Sequence, residues 1–480
     1  MYFVETMPTL LVANRGEIAI RICKTAKKKG WKTVAIYSDA DRHALHISYA
    51  DEAYRVGGSP SKDSYLNINQ IIKIAKDRQV DYIHPGYGFL SENAEFAQAV
   101  WDNGITFVGP TAEAMQSLGN KVEAKITAGN LGIPLVPGMK EPVDEKIALS
   151  IADRIGYPII LKAAAGGGGK GMRVVQNPSL LLESLSLAQS EALSSFGDPT
   201  IFIEKFIQSP KHIEVQVLAD QLGHVIALPE RECSLQRRHQ KIMEESPSAL
   251  LDDSIRKKMQ ADALKLIQST GYFGTATVEF ILDSDGNYFF LEVNTRLQVE
   301  HTVTEMITGL DLVDLQLDIA QKKSISIKPS DIQVHGHAIQ WRVYAEDADN
   351  HFAPSVGTID YYEEPVGKDI RIDAGYKQGS EIPIYYDPMI SKMIAWGRDR
   401  GQCILTLHQA LKNYSIEGVI TSIPFGIKLL TQTDILEGHY TVDYLDKNLD
   451  RILKDGKDES VYKAAAALSL FLHRNKTLNL

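Results

Sequence analysis

The sequence predicts an α/β protein that opens with a doubly wound parallel sheet. Its first part alternates apolar strand segments, "TLLVA" and "KTVAIYS", with a helical segment, "GEIAIRICKTAKKKG", whose apolar side chains share one face. Short connections containing glycine or proline follow later strand segments such as "VDYIHPG" and "ITFVGP". Strands that alternate with helices over short connections are typical of a sheet covered by helices on both faces.

The chain has 480 residues, more than a single hydrophobic core normally supports, so we expect several domains. The doubly wound domain should cover 1–119, and a linker helix with a small α+β unit should cover 120–210. Strands dominate 211–450, which we expect to hold the large core and a C-terminal domain. The tail, 451–480, contains "SVYKAAAALSLFLHR", which predicts an amphipathic helix.

Composition excludes several classes of protein. The chain is 44% hydrophobic and 23% charged, as in ordinary globular proteins, and its net charge of -10 disfavours a nucleic-acid partner. It has no apolar run long enough for a membrane span and no start typical of a signal peptide. Its three cysteines, Cys23, Cys233 and Cys403, lie far apart, which fits a reducing compartment. We therefore expect a cytoplasmic protein without membrane or nucleic-acid partners.

The stretch "TVEFILDSDGNYFFLEVN" (277–294) predicts a β-hairpin around the turn "DSDGN". A turn centred on Asp285 and Gly286 places Glu279 directly opposite Glu292, and Asn294 then lies on the same face as Glu292. Two opposed carboxylates repel unless a cation lies between them. Hard oxygen ligands suit Mg²⁺ or Mn²⁺ beside nucleotide phosphates. The alternative is an acidic pair that faces solvent, although the flanking residues are very apolar for an exposed strand.

Polar side chains continue at every second position after the hairpin. Glu292, Asn294, Arg296, Gln298 and Glu300 alternate with mostly apolar neighbours, so an extended chain would present all five on one wall. An arginine there could bind an anion, and the last glutamate could act as a base. The alternative is an internally paired arginine–glutamate set beside a core strand.

The stretch "KAAAGGGGKGM" (162–172) has almost no side chain to hold it in place. It lacks the Gly-Lys-Ser/Thr ending of the Walker A motif. Backbone N–H groups can still close over phosphates, so a nucleotide lid and an unordered linker are both open from this stretch alone. The predicted metal site downstream favours the lid.

A group of cationic residues lies in "ERECSLQRRHQK" (230–241), namely Arg231, Arg237, Arg238, His239 and Lys241. In an acidic protein, such a group indicates a small anion bound in a cleft. A solvated basic surface is the alternative.

Together these stretches resemble the biotin carboxylase family of the ATP-grasp superfamily, over residues 8 to 447. The specific motifs are "LVANRGEIAIRI", "HPGYGFLSEN", "KAAAGGGGKGMRVV", "ERECSLQRRHQKIMEE", "EVNTRLQVEHTVTE" and "YYDPMISK". The resemblance implies an ATP-grasp fold with an N-terminal pre-ATP-grasp domain, a glycine-rich lid and a C-terminal biotin carboxylase domain. "RVYAED" and "GSEIPIYYDPMISK" look more like propionyl-CoA-type carboxylases than the acetyl-CoA type.

The resemblance also implies a reaction and a set of residues for it. Biotin would be carboxylated by bicarbonate and ATP through carboxyphosphate, as the first half-reaction of an acetyl- or propionyl-CoA carboxylase or of a two-subunit pyruvate carboxylase. The implied nucleotide site comprises Lys121, Lys162, Gly168, Gly169, Glu204, the backbone of Lys205, Ile207, His212, Gln236, His239, Glu279 and Glu292. The implied metal ligands are Glu279, Glu292 and Asn294.

The remaining implied residues bind and activate the smaller substrates. Bicarbonate would contact Lys241, Arg296, Gln298 and the N–H of Val299, and Glu300 would remove its proton. Tyr87 and Arg342 would position biotin, with Arg342 stabilising its enolate form. The implied catalytic residues are therefore Arg296, Glu300, Lys241 and Arg342.

The sequence has no "AMKM"-like biotinylation motif, and the nearest match is "GMKE" at 138–141. We therefore expect biotin to arrive on a separate carrier protein, with a carboxyltransferase subunit completing the enzyme, and a homodimer as in many family members. Two other functions stay open: another ATP-grasp ligase, or a catalytically silent nucleotide-binding regulator.

Overall fold

The computed structural model describes residues 7–138, 143–164 and 171–454. Within the first range, five parallel strands form a sheet in the spatial order third, second, first, fourth, fifth. These strands are Thr9–Val12, Lys32–Ser38, Glu52–Gly57, Tyr82–His84 and Thr106–Phe107. The helices that accompany them are Gly16–Lys28, Ile68–Asp77 and Ala94–Asp102. The predicted doubly wound sheet is confirmed.

Strand order places a binding crevice at one edge of this sheet. The chain reverses its direction of winding on either side of the first strand, and open α/β sheets bind ligands beyond the carboxyl ends of strands at such a point. The loop that follows the strand Tyr82–His84 emerges there. This loop ends at Asn93, whose side chain accepts a hydrogen bond from the Phe96 N–H and begins the next helix.

Two helices, Ala112–Gly119 and Lys121–Asn130, lead into a small second unit. The second helix begins at Asn120, whose side chain accepts hydrogen bonds from two backbone N–H groups of its first turn. The unit is a three-stranded antiparallel sheet with a hydrophobic core of its own. Its strands are Ile159–Ala163, Met172–Val175 and Ile201–Lys205, and its helices are Glu145–Ile155 and Leu181–Phe196.

Residues 211–397, all described, contribute nine antiparallel strands to one large sheet. Eight of them follow one another in the spatial order Tyr288–Asn294, Gly274–Leu282, Lys211–Ala219, Arg231–Arg237, Gln240–Ser246, His337–Tyr344, Met389–Gly397 and Ile370–Ala374. The ninth, Val225–Ala227, pairs with Lys211–Ala219. Three helices lie within this stretch of chain: Asp253–Gln268, His301–Thr308 and Leu312–Ala320.

The C-terminal part packs on the far end of the large sheet around the buried Trp341. Its helices are Arg400–Lys412, Ile423–Leu429, Thr433–Glu437 and Tyr444–Lys454. Short strands pair as Glu346–Asp347 with Ala353–Pro354, Gly357–Thr358 with Glu381–Ile382, and Tyr361–Glu363 with Ser415–Glu417. The helix predicted in the tail lies outside the described residues, which end at Lys454.

The hairpin at one edge of the large sheet has the predicted register, with Glu279 paired to Glu292. Its turn needs Gly286, whose φ of 83° is in the left-handed region. The second strand ends at Asn294, so regular alternation stops there and residues 295–300 run as irregular chain. Among the residues described, no helix is both long and apolar enough to cross a membrane.

Candidate active site

A cleft of about 1450 Å³ lies where the N-terminal sheet, the small unit and the large sheet meet. Most residues singled out from the sequence line it: Tyr87, Lys121, Lys162, Glu204, His212, Gln236, His239, Lys241, Glu279, Glu292, Asn294, Arg296, Gln298, Val299 and Arg342. Three described residues from the same set, Lys205, Ile207 and Glu300, do not line it. Gly168 and Gly169 lie outside the described residues.

Three carboxylates lie in a row across neighbouring strands, and two of them, Glu279 and Glu292, line the cleft. Glu279 pairs with Glu292 on one side and with Glu214 on the other. Lys241 contacts Glu214 and donates to Glu279 over 3.0 Å, while Lys121 lies 2.8 Å from Glu292. The row is thus compensated by two lysines, one at each end.

The electrostatics of this row follow from its burial. Burial alone would raise the pKa of Glu214, but Lys241, His212 and Arg231 together outweigh that effect and the pKa falls to about 2. Burial would likewise lower the pKa of Lys241, but Glu214, Glu279 and Glu300 raise it well above its usual value. Both groups are therefore charged at neutral pH.

The oxygen donors predicted for a metal converge on one face of the hairpin. Glu279 and Glu292 supply two carboxylates, and the Asn294 amide lies beside them, donating to Glu279 over 2.8 Å. Two carboxylates and an amide oxygen are ligands that Mg²⁺ and Mn²⁺ prefer. The chemistry of this donor set fits either ion. The acidic pair does not face solvent, because Glu279 is buried.

Glu300 is completely buried and lies directly before the helix His301–Thr308. One of its carboxylate oxygens accepts from Lys241 over 2.9 Å, and the other accepts from Arg342 over 3.0 Å. Burial would raise the pKa of this carboxyl, but Lys241 and then Arg342 outweigh burial and the nearby Glu214, so the pKa is lowered. Glu300 thus lies behind the cleft lining as an ionised carboxylate between two cations, Lys241 and Arg342, that do line the cleft.

Arg296 faces the cleft and donates to three side chains and to the Leu297 carbonyl. Its guanidinium donates to Glu92 over 2.7 Å, to Gln298 over 2.9 Å and to Asn294 over 3.0 Å. The internal arginine–glutamate pairing considered from the sequence therefore exists, with Glu92 as the partner. With this pairing the Arg296 guanidinium still lines the cleft, as do Glu292 and Asn294, which are predicted to bind a metal.

Arg342 lies on the strand His337–Tyr344 and is held by two buried glutamates. It donates to Glu244 over 2.6 Å through Nε and to Glu300 over 3.0 Å through Nη2. Tyr87 lines the same end of the cleft from the N-terminal domain, and its hydroxyl is buried without a hydrogen-bond partner in the described structure. A ligand in this end of the cleft could supply one.

At the opposite end, the small unit contributes lysines around Glu204, which contacts both Lys162 and Lys125. The Lys205 side chain points away from the cleft and donates to the carbonyls of Gly156 and Tyr157, each over 2.9 Å. This leaves only its backbone for a ligand, as the sequence comparison implied.

Two histidines and a glutamine lie between the two ends. His212 lies 3.0 Å from Glu279 and 3.0 Å from the Gln236 side chain. Burial would lower the pKa of His212, but Glu279 and Glu214 raise it to about 9, so the ring is cationic at neutral pH. His239 lies on the exposed turn between the strands Arg231–Arg237 and Gln240–Ser246.

The cationic group at 230–241 is divided by the fold. Arg231 is fully buried, where it donates to Gln216 over 2.8 Å and to Thr277 over 3.1 Å. Lys241 lies in the cleft, and Arg238 is exposed on the turn, where it lines the cleft mouth. A solvated basic surface is therefore the wrong interpretation of this segment.

Sequence reasoning missed several charged residues of the site, among them Glu92, Lys125, Glu214 and Glu244. The signal for Glu214 was available, because "HIEVQV" carries a glutamate in an otherwise apolar alternating strand. The other three depend on which segments meet in space. Glu92 and Glu244 stand inside two of the quoted motifs, but nothing local indicated that they would pair with Arg296 and Arg342.

Comparison with known proteins agrees with this architecture along nearly the whole chain. Residues 6–115 match the family model "Biotin carboxylase, N-terminal domain", and residues 340–447 match "Biotin carboxylase C-terminal domain". The segment between them, 120–328, matches "Carbamoyl-phosphate synthase L chain, ATP binding domain".

Curated relatives are similar over most of the chain. Biotin carboxylase 1 of Bacillus subtilis is 47% identical over 441 residues, covering 91% of this chain and 98% of that protein. The mitochondrial propionyl-CoA carboxylase alpha chain of Homo sapiens is 45% identical over 478 residues, covering 98% of this chain and 65% of that protein.

Solved structures have the same fold. A biotin carboxylase of Campylobacter jejuni, in complex with β,γ-ATP, is 42% identical with a TM-score of 0.87 over 92% of this chain and 99% of that one. The biotin carboxylase domain dimer of the Hydrogenobacter thermophilus 2-oxoglutarate carboxylase, with MgADP, ADP and bicarbonate, is 42% identical with a TM-score of 0.88 over 94% of this chain and 99% of that one. The chain therefore belongs to the biotin carboxylase family of ATP-grasp ligases.

Proposed function

We propose that this protein carboxylates biotin, using ATP and bicarbonate, on a separate carrier protein. The observation that carries the proposal is the buried Glu300 carboxylate held between Lys241 and Arg342. A buried base with two fixed cations suits the activation of a small anion. The neighbouring carboxylate row suits a metal–nucleotide complex.

In this proposal bicarbonate lies against Lys241, Arg296, Gln298 and the N–H of Val299. Glu300 takes the proton of bicarbonate, and the freed oxygen attacks the γ-phosphorus of ATP. The bond to the β-phosphate oxygen breaks, giving carboxyphosphate and ADP. Bicarbonate is a poor nucleophile until it is deprotonated, so the base should dominate this step.

Glu279, Glu292 and Asn294 would hold Mg²⁺ or Mn²⁺, which neutralises phosphate charge when bound. The chain's own cations complete that neutralisation. Lys121 and Lys162 would contact the phosphates, and His212, Gln236 and His239 would contact the ribose and phosphates. Their positions around one cleft support this arrangement.

The adenine would lie near Glu204, with the backbone of Lys205 and Ile207 as further contacts. Gly168 and Gly169 would close over the phosphates as a lid. A lid matters because carboxyphosphate hydrolyses readily, and water must be kept from the site during the reaction.

Biotin would enter at the other end of the cleft, beside Tyr87 and Arg342. Arg342 would stabilise the enolate form of the ureido group. The ureido nitrogen would then bond to the carboxyl carbon of carboxyphosphate as the carbon–oxygen bond to phosphate breaks, and the departing phosphate would take the N–H proton. The unpartnered Tyr87 hydroxyl supports a ligand at this end.

We infer that a biotin carrier protein and a carboxyltransferase complete the enzyme, and that the complex acts on an acetyl- or propionyl-type acyl-CoA. Identity to a propionyl-CoA carboxylase alpha chain supports this choice. A pyruvate-type complex is the second candidate, supported by the 42% identity to "the biotin carboxylase subunit of pyruvate carboxylase". Copurification of the native complex, followed by identification of the transferase, decides between them.

We also infer a homodimer in the cytoplasm. The dimeric biotin carboxylase domain with 42% identity supports the first inference. Three free, buried cysteines support a reducing compartment. Light scattering of the purified protein measures the first, and fractionation of the source cells measures the second.

The test of the activity is ADP release with bicarbonate and free biotin present together and omitted singly. Release that requires both substrates, with carboxybiotin formed, supports the proposal. Release that requires an amine acceptor would favour another ATP-grasp ligase. Nucleotide binding without any turnover would favour a silent regulator.

A further inference from the structure

The motif "YYDPMISK" has no part in the mechanism above, yet its last residue lies directly behind the anion site. Lys392 belongs to the strand Met389–Gly397, and its side chain is 0% exposed. Its ammonium donates to the carbonyl of Val299 over 3.2 Å. Burying an ammonium group costs free energy of folding unless an anion or a hydrogen-bond acceptor pairs with it. The partners of Lys392 therefore indicate what holds it behind the anion site.

The nearest counter-ion of Lys392 comes from the N-terminal domain. Glu17, in the second position of the helix Gly16–Lys28, places a carboxylate oxygen 3.1 Å from the ammonium. Asp373 is farther away, at 3.9 Å. Neither oxygen of Glu17 accepts a hydrogen bond of good geometry from the described residues, so the ion pair with Lys392 is its main compensation. Burial outweighs this pairing and raises the pKa of the Glu17 carboxyl to about 7.

Next to this pair, the backbone at Gly375 packs closely against the backbone at the start of the first helix. Gly375 lies just after the strand Ile370–Ala374, and a Cβ atom there would lie 2.8 Å from the Glu17 backbone nitrogen. A larger residue would push the helix and the strand apart. The first helix is thereby fixed against the C-terminal strands at the point where Glu17 meets Lys392.

Val299 links the Lys392–Glu17 pair to the groups that are expected to bind and deprotonate bicarbonate. Its N–H is the group expected to bind bicarbonate, and the carbonyl on its other side joins it to Glu300, the expected base. A cation that fixes this carbonyl restricts rotation of both neighbouring peptides. The Lys392 ammonium also lies 5.5 Å from the centre of the Tyr87 ring, within cation–π range. It therefore also interacts with a residue at the end of the cleft proposed for biotin.

We propose that Lys392, held in place by Glu17, is a positioning residue that orients the Val299 N–H and the Glu300 carboxylate toward bicarbonate. This inference rests on the proposed function. It explains why a cation is buried behind a site that already contains Lys241, Arg296 and Arg342. The pair acts through the backbone and does not touch the substrate.

Two variants test the proposal in the full-length protein. Glu17→Gln keeps the shape of the side chain but removes the charge that pairs with Lys392, and the assay is run at pH 8.5, where a carboxyl with a pKa of about 7 is ionised in the wild type. The double variant Glu17→Gln/Lys392→Met removes both charges at once and leaves no unpaired buried ion. Lys428→Met is the matched control, because Lys428 also donates to a backbone carbonyl, that of Leu453 over 3.1 Å, in a helix that does not line the cleft.

The readouts are the apparent KM for bicarbonate in ADP release, the Kd of a non-hydrolysable ATP analogue, and the thermal unfolding midpoint. We expect the double variant to raise the bicarbonate KM by about tenfold or more, the loss expected from one hydrogen bond to a charged group. Glu17→Gln should raise it in the same direction by a smaller factor. The Kd of the ATP analogue should stay at the wild-type value in both, and the control should match wild type in all three readouts.

Other outcomes have distinct meanings. An unchanged bicarbonate KM in Glu17→Gln overturns the inference, and this variant decides alone if the double variant does not fold. Equal losses in ATP affinity and bicarbonate KM would assign the pair a purely structural role and also overturn it. A wild-type protein without bicarbonate-dependent ADP release would instead end the proposed function itself.

Discussion

The Lys241 ammonium lies 2.9 Å from one oxygen of the Glu300 carboxylate, and the glutamate has no exposed surface. Arg342 lies 3.0 Å from the second oxygen. The carboxylate therefore has a fixed orientation and a stable negative charge before any substrate enters. The two cations keep the carboxylate ionised and oriented for a proton transfer, and by lowering its pKa they also reduce its strength as a base.

Glu300→Gln should abolish most turnover while leaving ATP binding intact. The amide keeps the shape of the side chain but cannot accept the bicarbonate proton, so bicarbonate-dependent ADP release should fall by about 10²–10⁴-fold. Calorimetry with an ATP analogue measures the binding. Glu230→Gln is the matched control, because Glu230 is also a buried glutamate paired to an arginine, Arg256, outside the cleft. Full activity of Glu300→Gln would refute the assignment of the base.

Arg296→Ala should also keep ATP binding and lose most turnover, but for a different reason. The guanidinium donates to the Gln298 side chain over 2.9 Å and to Asn294 over 3.0 Å, so its loss should raise the bicarbonate KM as well as lower kcat. A saturation series in bicarbonate measures both constants. Arg55→Ala, which breaks an arginine–aspartate pair on the N-terminal domain, should change neither. An unchanged bicarbonate KM in Arg296→Ala would remove the residue from the anion site.

Glu292→Gln should raise the concentration of Mg²⁺ needed for half-maximal activity by about tenfold, equivalent to ~1.4 kcal/mol of binding. The variant removes one of two opposed carboxylates and releases Lys121 from its 2.8 Å contact. Titrating activity against free Mg²⁺ and Mn²⁺ measures the shift. Asp285→Asn, in the turn of the same hairpin, should leave the metal requirement as it is. If Glu292→Gln needed no more metal than wild type, the hairpin would not be the metal site.

The parts of the site that the sequence predicted are those set by local structure. The turn sets the register of the residues next to it, which pair from Leu282 with Tyr288 to Phe280 with Phe290. A register shift between Phe280 and Glu279 then places Glu279 opposite Glu292, so the sequence predicted this pair but not the irregularity that produces it. The third carboxylate, Glu214, joins the row through a strand that is distant in sequence. No periodicity specifies which distant strand becomes the neighbour.

Sequence spacing also does not specify where the cationic residues lie or which groups they pair with. Charge spacing in the segment 230–241 could not distinguish Arg231, which is buried in the sheet, from Arg238, which is exposed on a turn. The pairing of Arg342 with Glu244 and of Lys392 with Glu17 likewise depends on tertiary contacts between separate elements. Alternation along the chain also failed after Asn294, because the strand ends there and Glu300 reaches its position through irregular backbone.

Two similar turns allow a test of how burial affects acid stability. In each, an aspartate side chain accepts backbone N–H groups two and four residues ahead: Asp220 from Leu222 and His224, and Asp283 from Asp285 and Asn287. Asp220 is only 2% exposed and accepts a further backbone N–H, that of Ile325, over 2.9 Å. Burial alone would raise the pKa of Asp220, but the N–H donors of Ile325, His224 and Leu222 outweigh it and lower the pKa to about 2.

Asp220→Asn should therefore lower the free energy of unfolding at pH 7 by about 1–3 kcal/mol, the range expected when buried donors lose a charged acceptor. Because the folded pKa is depressed, the carboxylate stabilises the fold fully above the unfolded value of about 4, and this contribution is lost as pH falls toward about 2. The difference between wild type and variant in urea unfolding should thus shrink between pH 7 and pH 3. Asp283→Asn changes the more exposed turn and should cost less. A constant difference over that pH range would show that the lost interaction does not depend on the charge of Asp220.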